Sequence, residues 1–494
     1  MSGPSEIASP SAVTDRGVGC DGVTVEAAAQ SLARRPRVLR LVMLGLGISV
    51  VPLDTAVNIA FPDITGSFHQ PIAMIQWVVI CYVLTHAGLM LAFGRVGDIW
   101  GHARVFRTGL LWSGAAFLLC AAAPSFGWLL FSRFLQGIGA GLVISCAPAL
   151  VTALYPEARR SHALGIFTLM FALGSASGPI IGGALVAQFG WPSVFWFRAP
   201  IALLSLALLR GLPAHAKPVA GERFDIVGAL LLALGLAGLL FAINALRRLP
   251  EGDYLGLLLV PAAAASLAFF VWWEGHTRQP IIRIELFRNA RFSLVNAAGC
   301  VMNFSAFSVM LIGPYFLVRY TGLSVPSAGL VLASGFVAMA ANSLLAGGLV
   351  ARLGAVRVGP LGALLTGGGL CSVAFWSPDT APLLMVLALV LHGIGMSFFQ
   401  VAYMELVLAS SPLADRGVAG SLSMLTRTVG VVVAAAGLTL LFQTQEQAAL
   451  ATGSEPATAF LVAFRATFLV VGGFAAATGA VLAWTARRGN AAAG

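Results

Sequence analysis

The sequence predicts an all-α integral membrane protein of fourteen transmembrane helices, arranged as two six-helix bundles plus two helices inserted between them. Of the 494 residues, 59% are hydrophobic and only 10% are charged, well below the roughly 25% charged residues of soluble domains. The chain also contains fourteen apolar runs that are each long enough to cross a bilayer, which takes about 20 residues of helix. A chain of this composition is expected to fold in lipid.

A short glycine-spaced segment that occurs twice indicates that the two bundles are related. The first copy runs from Gly94 to Arg104 and the second from Gly347 to Arg357, each between two apolar runs. Internal duplication of a helical membrane protein is typical of secondary transporters, which alternate access between two similar halves. The repeat therefore favours a transport function.

The predicted helices follow the apolar runs in chain order. The first bundle comprises the runs near 39–62, 73–93, 106–125, 127–153, 162–187 and 193–211. The inserted pair lies near 226–245 and 255–273. The second bundle comprises the runs near 293–318, 327–350, 357–376, 382–409, 417–442 and 460–485. The predicted units are an N-terminal tail (1–36), the first bundle (37–211), a cytoplasmic linker (212–223), the inserted pair (224–275), the second bundle (276–486) and a C-terminal tail (487–494).

The distribution of arginines predicts that both termini lie in the cytoplasm. With the N-terminus inside, 22 of the 29 basic residues fall in inner segments and four in outer segments, as the positive-inside rule requires. The remaining three, Arg133, Arg198 and Arg427, lie within predicted helices. Residues 1–36 contain no apolar core ahead of their arginine cluster, so we expect a disordered tail rather than a signal peptide. The expected location is the cytoplasmic membrane.

Composition and motifs argue against several other classes of function. The net charge of +10 forms no basic stripe on a polar domain, so a nucleic-acid partner is not expected. The six cysteines lack metal-type spacing, and neither a metal site nor a disulfide is predicted. No Walker loop is present, which argues against a pump driven by nucleotide hydrolysis. The absence of hydrolase and zinc-protease motifs leaves a membrane enzyme or a sensor as a remote alternative.

Asp54 is the candidate proton carrier. It is the only acid well within a predicted span, and a charge at bilayer depth costs from about 3 to more than 10 kcal/mol unless it faces water or a partner. Arg133 is the expected partner, because both residues fall in the outer halves of their helices. Two alternatives remain: Asp54 and Arg133 form a static structural pair, or Arg133 extends to the outer headgroups.

Two further groups of residues are candidates for gating and helix packing. The gating candidates at the first glycine-spaced segment are Gly94, Gly97, Asp98, Gly101 and Arg104. The glycines allow a tight turn, in which Asp98 caps a neighbouring helix and pairs with Arg104 to latch the inner gate. The candidates for bending or close packing of the fifth span are Gly174, Gly178, Pro179, Gly182 and Gly183.

Polar and aromatic residues within spans are candidates for the wall of a substrate cavity. They are Asn58, Gln76, Trp77, Gln136, Phe304, Phe307, Phe398 and Tyr403. The three arginines at membrane depth favour a neutral or weakly acidic substrate over a dication, which would meet like charge in a low-dielectric cavity. The counter-interpretation is that Arg198 only reaches the outer headgroups.

These ordered motifs resemble those of the major facilitator superfamily, specifically its fourteen-helix drug:proton antiporters. Four segments carry the resemblance: Leu53 to Pro62 in the first helix, Gly94 to Arg104 between helices 2 and 3, Arg133 to Gly141 in the fourth helix, and Gly174 to Gly183 in the fifth. The sequence departs from the family pattern at Ile99, His102 and Ala103, which replace basic positions, and at Arg198, which stands where an asparagine is usual.

The resemblance implies a proton-coupled antiporter that exports small amphipathic molecules such as drugs, antibiotics or secondary metabolites. It also implies a monomer that needs no cofactor, because the proton gradient drives transport. The alternative within the same superfamily is a nutrient importer, working as a symporter or a uniporter.

Overall fold

A computed structural model describes residues 44–153, 160–209, 254–277, 284–409 and 416–491, together with isolated positions between 225 and 242. The described residues form helices and turns and contain no strand. The expected tail (1–36) and linker (212–223) lie outside the described residues, and the expected span near 226–245 lies largely outside them.

The first half of the chain begins with a broken helix. Its arms, α1 (Leu44–Ile59) and α2 (Phe61–Ser67), meet at 61°. The helices that follow are α3 (Ile75–Trp100), α4 (His102–Ala121), α5 (Phe126–Ala153), α6 (Arg160–Phe189) and, after a short turn at Ser193–Trp196, α7 (Arg198–Leu208). The second helix of the inserted pair is α8 (Leu255–His276).

The second half repeats this order. It comprises α9 (Ala290–Leu311), α10 (Gly313–Arg319), α11 (Val325–Leu353), α12 (Ala355–Val373), α13 (Pro382–Ala409), α14 (Arg416–Ala451) and α15 (Pro456–Ala491). The short helix α10 follows α9 as α2 follows α1, and each of the two short helices has a proline at its start, Pro62 or Pro314. Proline is tolerated there because the first N–H groups of a helix have no intrahelical acceptor.

The glycine-spaced segments form corresponding turns in the two halves. Gly101 ends α3 with a φ of 93°, and Gly354 ends α11 with a φ of 82°, a backbone conformation that residues with a side chain rarely adopt. The expectation that Gly94 and Gly97 also lie in the turn is corrected, because α3 continues to Trp100 and both glycines are helical. The internal repeat is therefore present in the backbone as well as in the sequence.

Ten described helices are long and apolar enough to cross a membrane, and the bent pair α1 and α2 makes an eleventh. A shorter apolar helix covers Ser193–Leu208, and α4 is a 20-residue helix where a span is expected. Large apolar side chains such as Leu111, Phe131 and Leu383 are exposed on helix surfaces, as expected where lipid is the solvent. The chain is a multi-pass membrane protein, and the number fourteen stays a prediction.

Contacts among four long helices and two short ones join the two bundles. α6 of the first bundle packs against α11 of the second, and α14 of the second packs against α3 of the first. The short helices α2 and α10 also meet, where the Tyr315 hydroxyl lies 3.4 Å from the Phe61 carbonyl oxygen and 3.4 Å from Thr65 Oγ1. Any movement of one bundle against the other must rearrange these contacts.

Candidate functional site

Asp54 lies at the centre of a cluster of hydrogen bonds contributed by α1, α5 and α7. Its carboxylate accepts two hydrogen bonds from Arg133, with Nη1 at 2.7 Å from Oδ1 and Nη2 at 2.8 Å from Oδ2. Nη1 of Arg198 donates to Oδ1 at 2.7 Å, and Nε2 of Gln136 donates to the same oxygen at 2.9 Å. The predicted contact between Asp54 and Arg133 is present, in the bidentate geometry that favours strong pairing.

Arg133 is held on several sides. Its Nε donates to the Val78 carbonyl oxygen at 2.9 Å, and its Nη1 donates to Gln136 Oε1 at 2.8 Å. Its guanidinium carbon lies 4.3 Å from the centroid of the Tyr82 ring, a distance at which a cation is attracted to the ring face. Arg133 is 1% exposed, so the alternative in which it extends to the headgroups is excluded for this structure.

Arg198 is the second cation of the cluster, and its pairing with Asp54 was not predicted from the sequence. It is fully buried, so it does not reach the outer headgroups. Its Nε donates to the Val194 carbonyl oxygen at 3.0 Å, and its guanidinium carbon lies 4.4 Å from the centroid of the Phe117 ring. Nη2 of Arg198 is buried and has no hydrogen-bond partner within the described ranges. The only signal in the sequence was an arginine early in a short apolar helix.

The cluster of Asp54, Arg133 and Arg198 carries one negative and two positive charges, for a net charge of +1. The Asp54 side chain is 15% exposed, whereas those of Arg133 and Arg198 are 2% and 0% exposed. Of the three charged side chains of the cluster, that of Asp54 therefore has the largest exposed fraction.

The glycines of α6 bring this helix against α1 beside Asp54. Thr55 donates a hydrogen bond to the Ser175 carbonyl oxygen at 2.9 Å. A methyl group added at Gly178 would lie 2.8 Å from the Ala56 nitrogen. This distance is shorter than a van der Waals contact. Gly174 and Gly182 likewise face α1 at short range. The small residues of α6 thus permit an approach of helix backbones that a larger residue would prevent.

The same helix meets α11 of the second bundle on another face. A methyl group added at Gly183 would lie 2.8 Å from the Val325 carbonyl oxygen, and one added at Gly329 would collide with the Pro179 carbonyl oxygen. The residues singled out on the fifth span therefore lie at two helix junctions, one inside the first bundle and one between the bundles.

The gating candidates are only partly described. Gly97 faces α5, where a methyl group added to it would lie 2.9 Å from Cys146 Sγ, and Arg104 is exposed. The backbone of Asp98 is helical, but its side chain lies outside the described residues. The expected pair between Asp98 and Arg104 stays a prediction.

The cavity candidates separate into two sets. Half-buried side chains, with some accessible surface, are Asn58, Trp77, Phe304, Phe307 and Phe398. Gln76, Gln136 and Tyr403 are buried, so they do not form an open wall in this structure. Gln136 belongs to the Asp54 cluster instead, and the Tyr403 hydroxyl donates to Asn296 Oδ1 at 3.1 Å inside the second bundle.

Across the part of the chain that the structure describes, no three His, Cys, Asp or Glu side chains come together as metal ligands would.

Three named relatives match most of the chain. The multidrug resistance protein Stp of Mycobacterium tuberculosis is 31% identical over 408 residues, covering 81% of this chain and 74% of that protein. The riboflavin transporter RibZ of Clostridioides difficile is 29% identical, covering 81% of this chain and 87% of that protein. The tetracenomycin C resistance and export protein of Streptomyces glaucescens is 28% identical, covering 79% and 73%.

The fold is shared with solved transporters. The crystal structure of a bacterial homologue of the human lysosomal transporter Spinster, in an inward-facing and unoccupied conformation, aligns with a TM-score of 0.69 at 16% identity, covering 92% of this chain and 98% of that chain. The family model of the Major Facilitator Superfamily matches residues 41–289 and 294–493. With four motifs in order and a duplicated helical backbone beside these matches, the chain belongs to the major facilitator superfamily.

Proposed function

We propose that this transporter is a proton-coupled antiporter that exports small amphipathic molecules across the cytoplasmic membrane, with both termini in the cytoplasm. The observation that carries the proposal is the cluster in which two buried arginines share the carboxylate of Asp54, whose side chain is partly exposed. The names of relatives support export, since Stp is a multidrug resistance protein and the Streptomyces relative is a resistance and export protein.

Protonation of Asp54 is the proposed coupling step. A proton on the carboxylate removes the only negative charge of the cluster, so the net charge rises from +1 to +2. Two buried guanidinium groups then lack a counter-ion, and breaking a buried pair in this way costs roughly 3–5 kcal/mol. The cluster therefore has to separate or admit water, which makes its geometry depend on whether the proton is bound.

The route from this cluster to the bundle interface runs through α6. Asp54 and Thr55 are neighbours on α1, and Thr55 is bonded to Ser175 on α6. α6 in turn contacts α11 of the second bundle at Gly183. Because closely packed backbones move together, a shift of α1 on protonation displaces α6 against the second bundle. We propose that this displacement links proton binding to alternating access.

The energy available from one proton is sufficient for export. A membrane potential of about 100 mV supplies roughly 2.3 kcal/mol per charge, and one pH unit adds about 1.4 kcal/mol. The total of about 3.7 kcal/mol supports a gradient of about 500-fold for a neutral substrate. No cofactor is needed in this scheme.

The remaining sequence-based assignments are proposals of the same kind. We assign Asp98 and Arg104, with Gly94, Gly97 and Gly101, to an inner gate, and the half-buried residues Asn58, Trp77, Phe304, Phe307 and Phe398 to the substrate cavity. The chain is proposed to work as a monomer with six helices on each side of an inserted pair.

Proteoliposomes with imposed pH gradients test the proposal. Riboflavin and tetracenomycin C, which appear in the names of relatives, are the first compounds to offer. An antiporter accumulates an external substrate in vesicles that are acidic inside, because protons leave as substrate enters. Accumulation that requires an acidic exterior would instead identify a symporter. A symporter is the importer alternative, which the riboflavin transporter among the relatives favours. No gradient-dependent flux in either direction would contradict both.

A further inference from the structure

The described part of the chain contains a third arginine at membrane depth, Arg427, which differs from the two in the Asp54 cluster. Arg427 lies on α14, about three helical turns from its first residue at Arg416. Its side chain is exposed, whereas Arg133 and Arg198 are buried. Arg427 is the second residue of the candidate span Thr426–Ala451, and an exposed charge within a span is costly unless it faces a wet cavity or a partner.

The position of Arg427 is between the bundles rather than on the lipid face. Its guanidinium carbon lies 5.4 Å from the centroid of the Phe171 ring, on α6 of the opposite bundle. The neighbouring Thr426 bonds to Asn296 on α9 at 3.2 Å, which fixes this turn of α14 inside its own bundle. Arg427 therefore projects from one bundle toward the other.

Within the described ranges no carboxylate lies within 4.0 Å of the Arg427 guanidinium. The Asp54 cluster supplies none, because its single carboxylate is already shared by two arginines and the cluster has a net charge of +1. Among the described residues the charges of Arg427 and of the Asp54 cluster are therefore net positive, and they favour an incoming anion over a neutral or cationic group. A planar guanidinium is also well suited to bidentate contact with a carboxylate.

Aromatic side chains complete the surroundings. The Phe171 ring lies beside Arg427. On α3, the His86 ring centroid is 5.1 Å from that of Tyr82, whose ring also lies against Arg133. Aromatic rings thus lie beside both Arg427 and Arg133, and such rings offer an apolar ligand face-to-face and edge contacts.

We propose that Arg427 binds the anionic group of an aromatic substrate, so that the preferred cargo is an amphipathic aromatic acid with its ring near Phe171. This assignment rests on the proposed transport function and names its substrate class. It also narrows the expectation of a neutral or weakly acidic substrate to the anionic form.

Equilibrium dialysis of matched probes tests the proposal on the purified full-length protein, with empty detergent micelles subtracted. 2-Naphthoate and 2-naphthamide share a ring system and differ in charge. We expect the wild type to bind the naphthoate about 10-fold more tightly, because only the carboxylate can form a charge-assisted, hydrogen-bonded pair with the guanidinium. Arg427→Gln should remove this preference while leaving naphthamide binding within about twofold, and Arg427→Lys should retain part of it.

Arg465→Gln is the matched control, because Arg465 is an exposed arginine whose only described ring partner is Phe375, in the turn after α12. It should leave both affinities unchanged. Equal affinity of the wild type for the two probes, including no binding of either, overturns the proposal, and so does an equal loss of both in Arg427→Gln. If that variant does not yield monodisperse protein, the wild-type preference and Arg427→Lys still decide the question.

Two further experiments distinguish substrate binding at Arg427 from lipid binding there and from proton-coupled antiport. In nanodiscs, displacement of naphthoate by added phosphatidylglycerol, with phosphatidylcholine as the reference, would assign Arg427 to lipid phosphate and overturn the proposal. Flux in proteoliposomes with a pH gradient is measured separately. Anion-selective binding without gradient-driven flux would support the Arg427 site and contradict proton-coupled antiport, whereas gradient-driven flux without anion selectivity would do the reverse.

Discussion

At the scale of single residues, the central feature is one carboxylate shared by two arginines. Arg133 and Arg198 both lie 2.7 Å from Oδ1 of Asp54, and neither arginine has another described acidic partner. Removing the acid leaves two like charges buried together, while removing Arg198 leaves a neutral pair. The two substitutions therefore have very different electrostatic consequences, although both alter the same ion pair.

We predict an order of stability from this count of charges. Asp54→Asn leaves a net charge of +2 and should destabilise the protein by about 3–5 kcal/mol. Arg198→Asn leaves a net charge of zero and should have a much smaller effect. In the double variant the net charge is +1, so its apparent melting temperature should lie above that of Asp54→Asn. Thermal unfolding in detergent measures this order, and a double variant less stable than both single variants would contradict it.

The sequence was sufficient to predict part of this site. An acid and an arginine in the outer halves of two apolar helices must find partners, so the pair of Asp54 and Arg133 followed from the cost of burying each alone. Arg198 was ambiguous, because an arginine near a helix end can either snorkel or turn inward. Which of these occurs depends on the rotation of α7 about its axis and on the Phe117 ring beneath the guanidinium, and neither is encoded in hydropathy. Tyr403 is buried in the second bundle, and this could not be predicted either, since an apolar run does not show which side of a helix faces the bundle interior.

At the scale of helices, α6 connects the Asp54 cluster to the opposite bundle. It is packed against α1 through Gly178 and against α11 through Gly183. The spacing of small residues predicted close packing, but it did not identify the two partners. A glycine motif in one helix predicts that another helix backbone can pack closely against it. Which helix that is depends on the packing of the whole bundle.

Gly178→Ala should reduce both stability and transport. The added methyl group would lie 2.8 Å from the Ala56 nitrogen, and crowding of this kind costs typically 1–3 kcal/mol. Gly473→Ala is the matched control, because Gly473 is a helical glycine with nothing within 4 Å of the added atom. It should be neutral, or more stable by up to about 1 kcal/mol through helix propensity. Melting temperature and flux are measured for both, and equal behaviour of the two variants would argue against the α1 and α6 junction.

Asp98→Asn should lower turnover with little loss of expression if the segment around Gly101 latches the inner gate. The amide keeps the size of the side chain and removes its charge, and a change of a few kcal/mol is enough to shift conformational populations. Flux and the accessibility of cysteines introduced on the inner side report the effect. Wild-type turnover with unchanged accessibility would count against the latch.

At the scale of the whole molecule, a duplicated framework carries an unduplicated charge site. Pro62 and Pro314 occupy equivalent places in the two broken helices, and the same offset relates Asp54 to Ala306. The turns at Gly101 and Gly354 are alike, so the backbone repeats while the acid does not. The two bundles therefore share the same arrangement of broken helices and glycine turns, but only the first contains the proposed proton site.

The predicted topology assigns opposite sides to two loops. Reporter fusions at Arg223, which lies outside the described residues, should read as cytoplasmic. Fusions at Thr380, in the turn between α12 and α13, should read as external. This follows from the excess of basic residues in the predicted inner segments. The same side for both fusions would invalidate the fourteen-helix arrangement.

The most direct test of proton coupling compares two kinds of flux through Asp54→Asn in proteoliposomes. With a compound that the wild type transports, we expect accumulation driven by a pH gradient to be abolished, because the amide cannot carry the proton. Exchange of labelled for unlabelled substrate without a gradient should persist. Asp54→Glu should retain part of the driven flux, and Asp379→Asn, which alters an exposed loop acid, should retain all of it. Undiminished gradient-driven accumulation by Asp54→Asn would contradict the proposed role of Asp54.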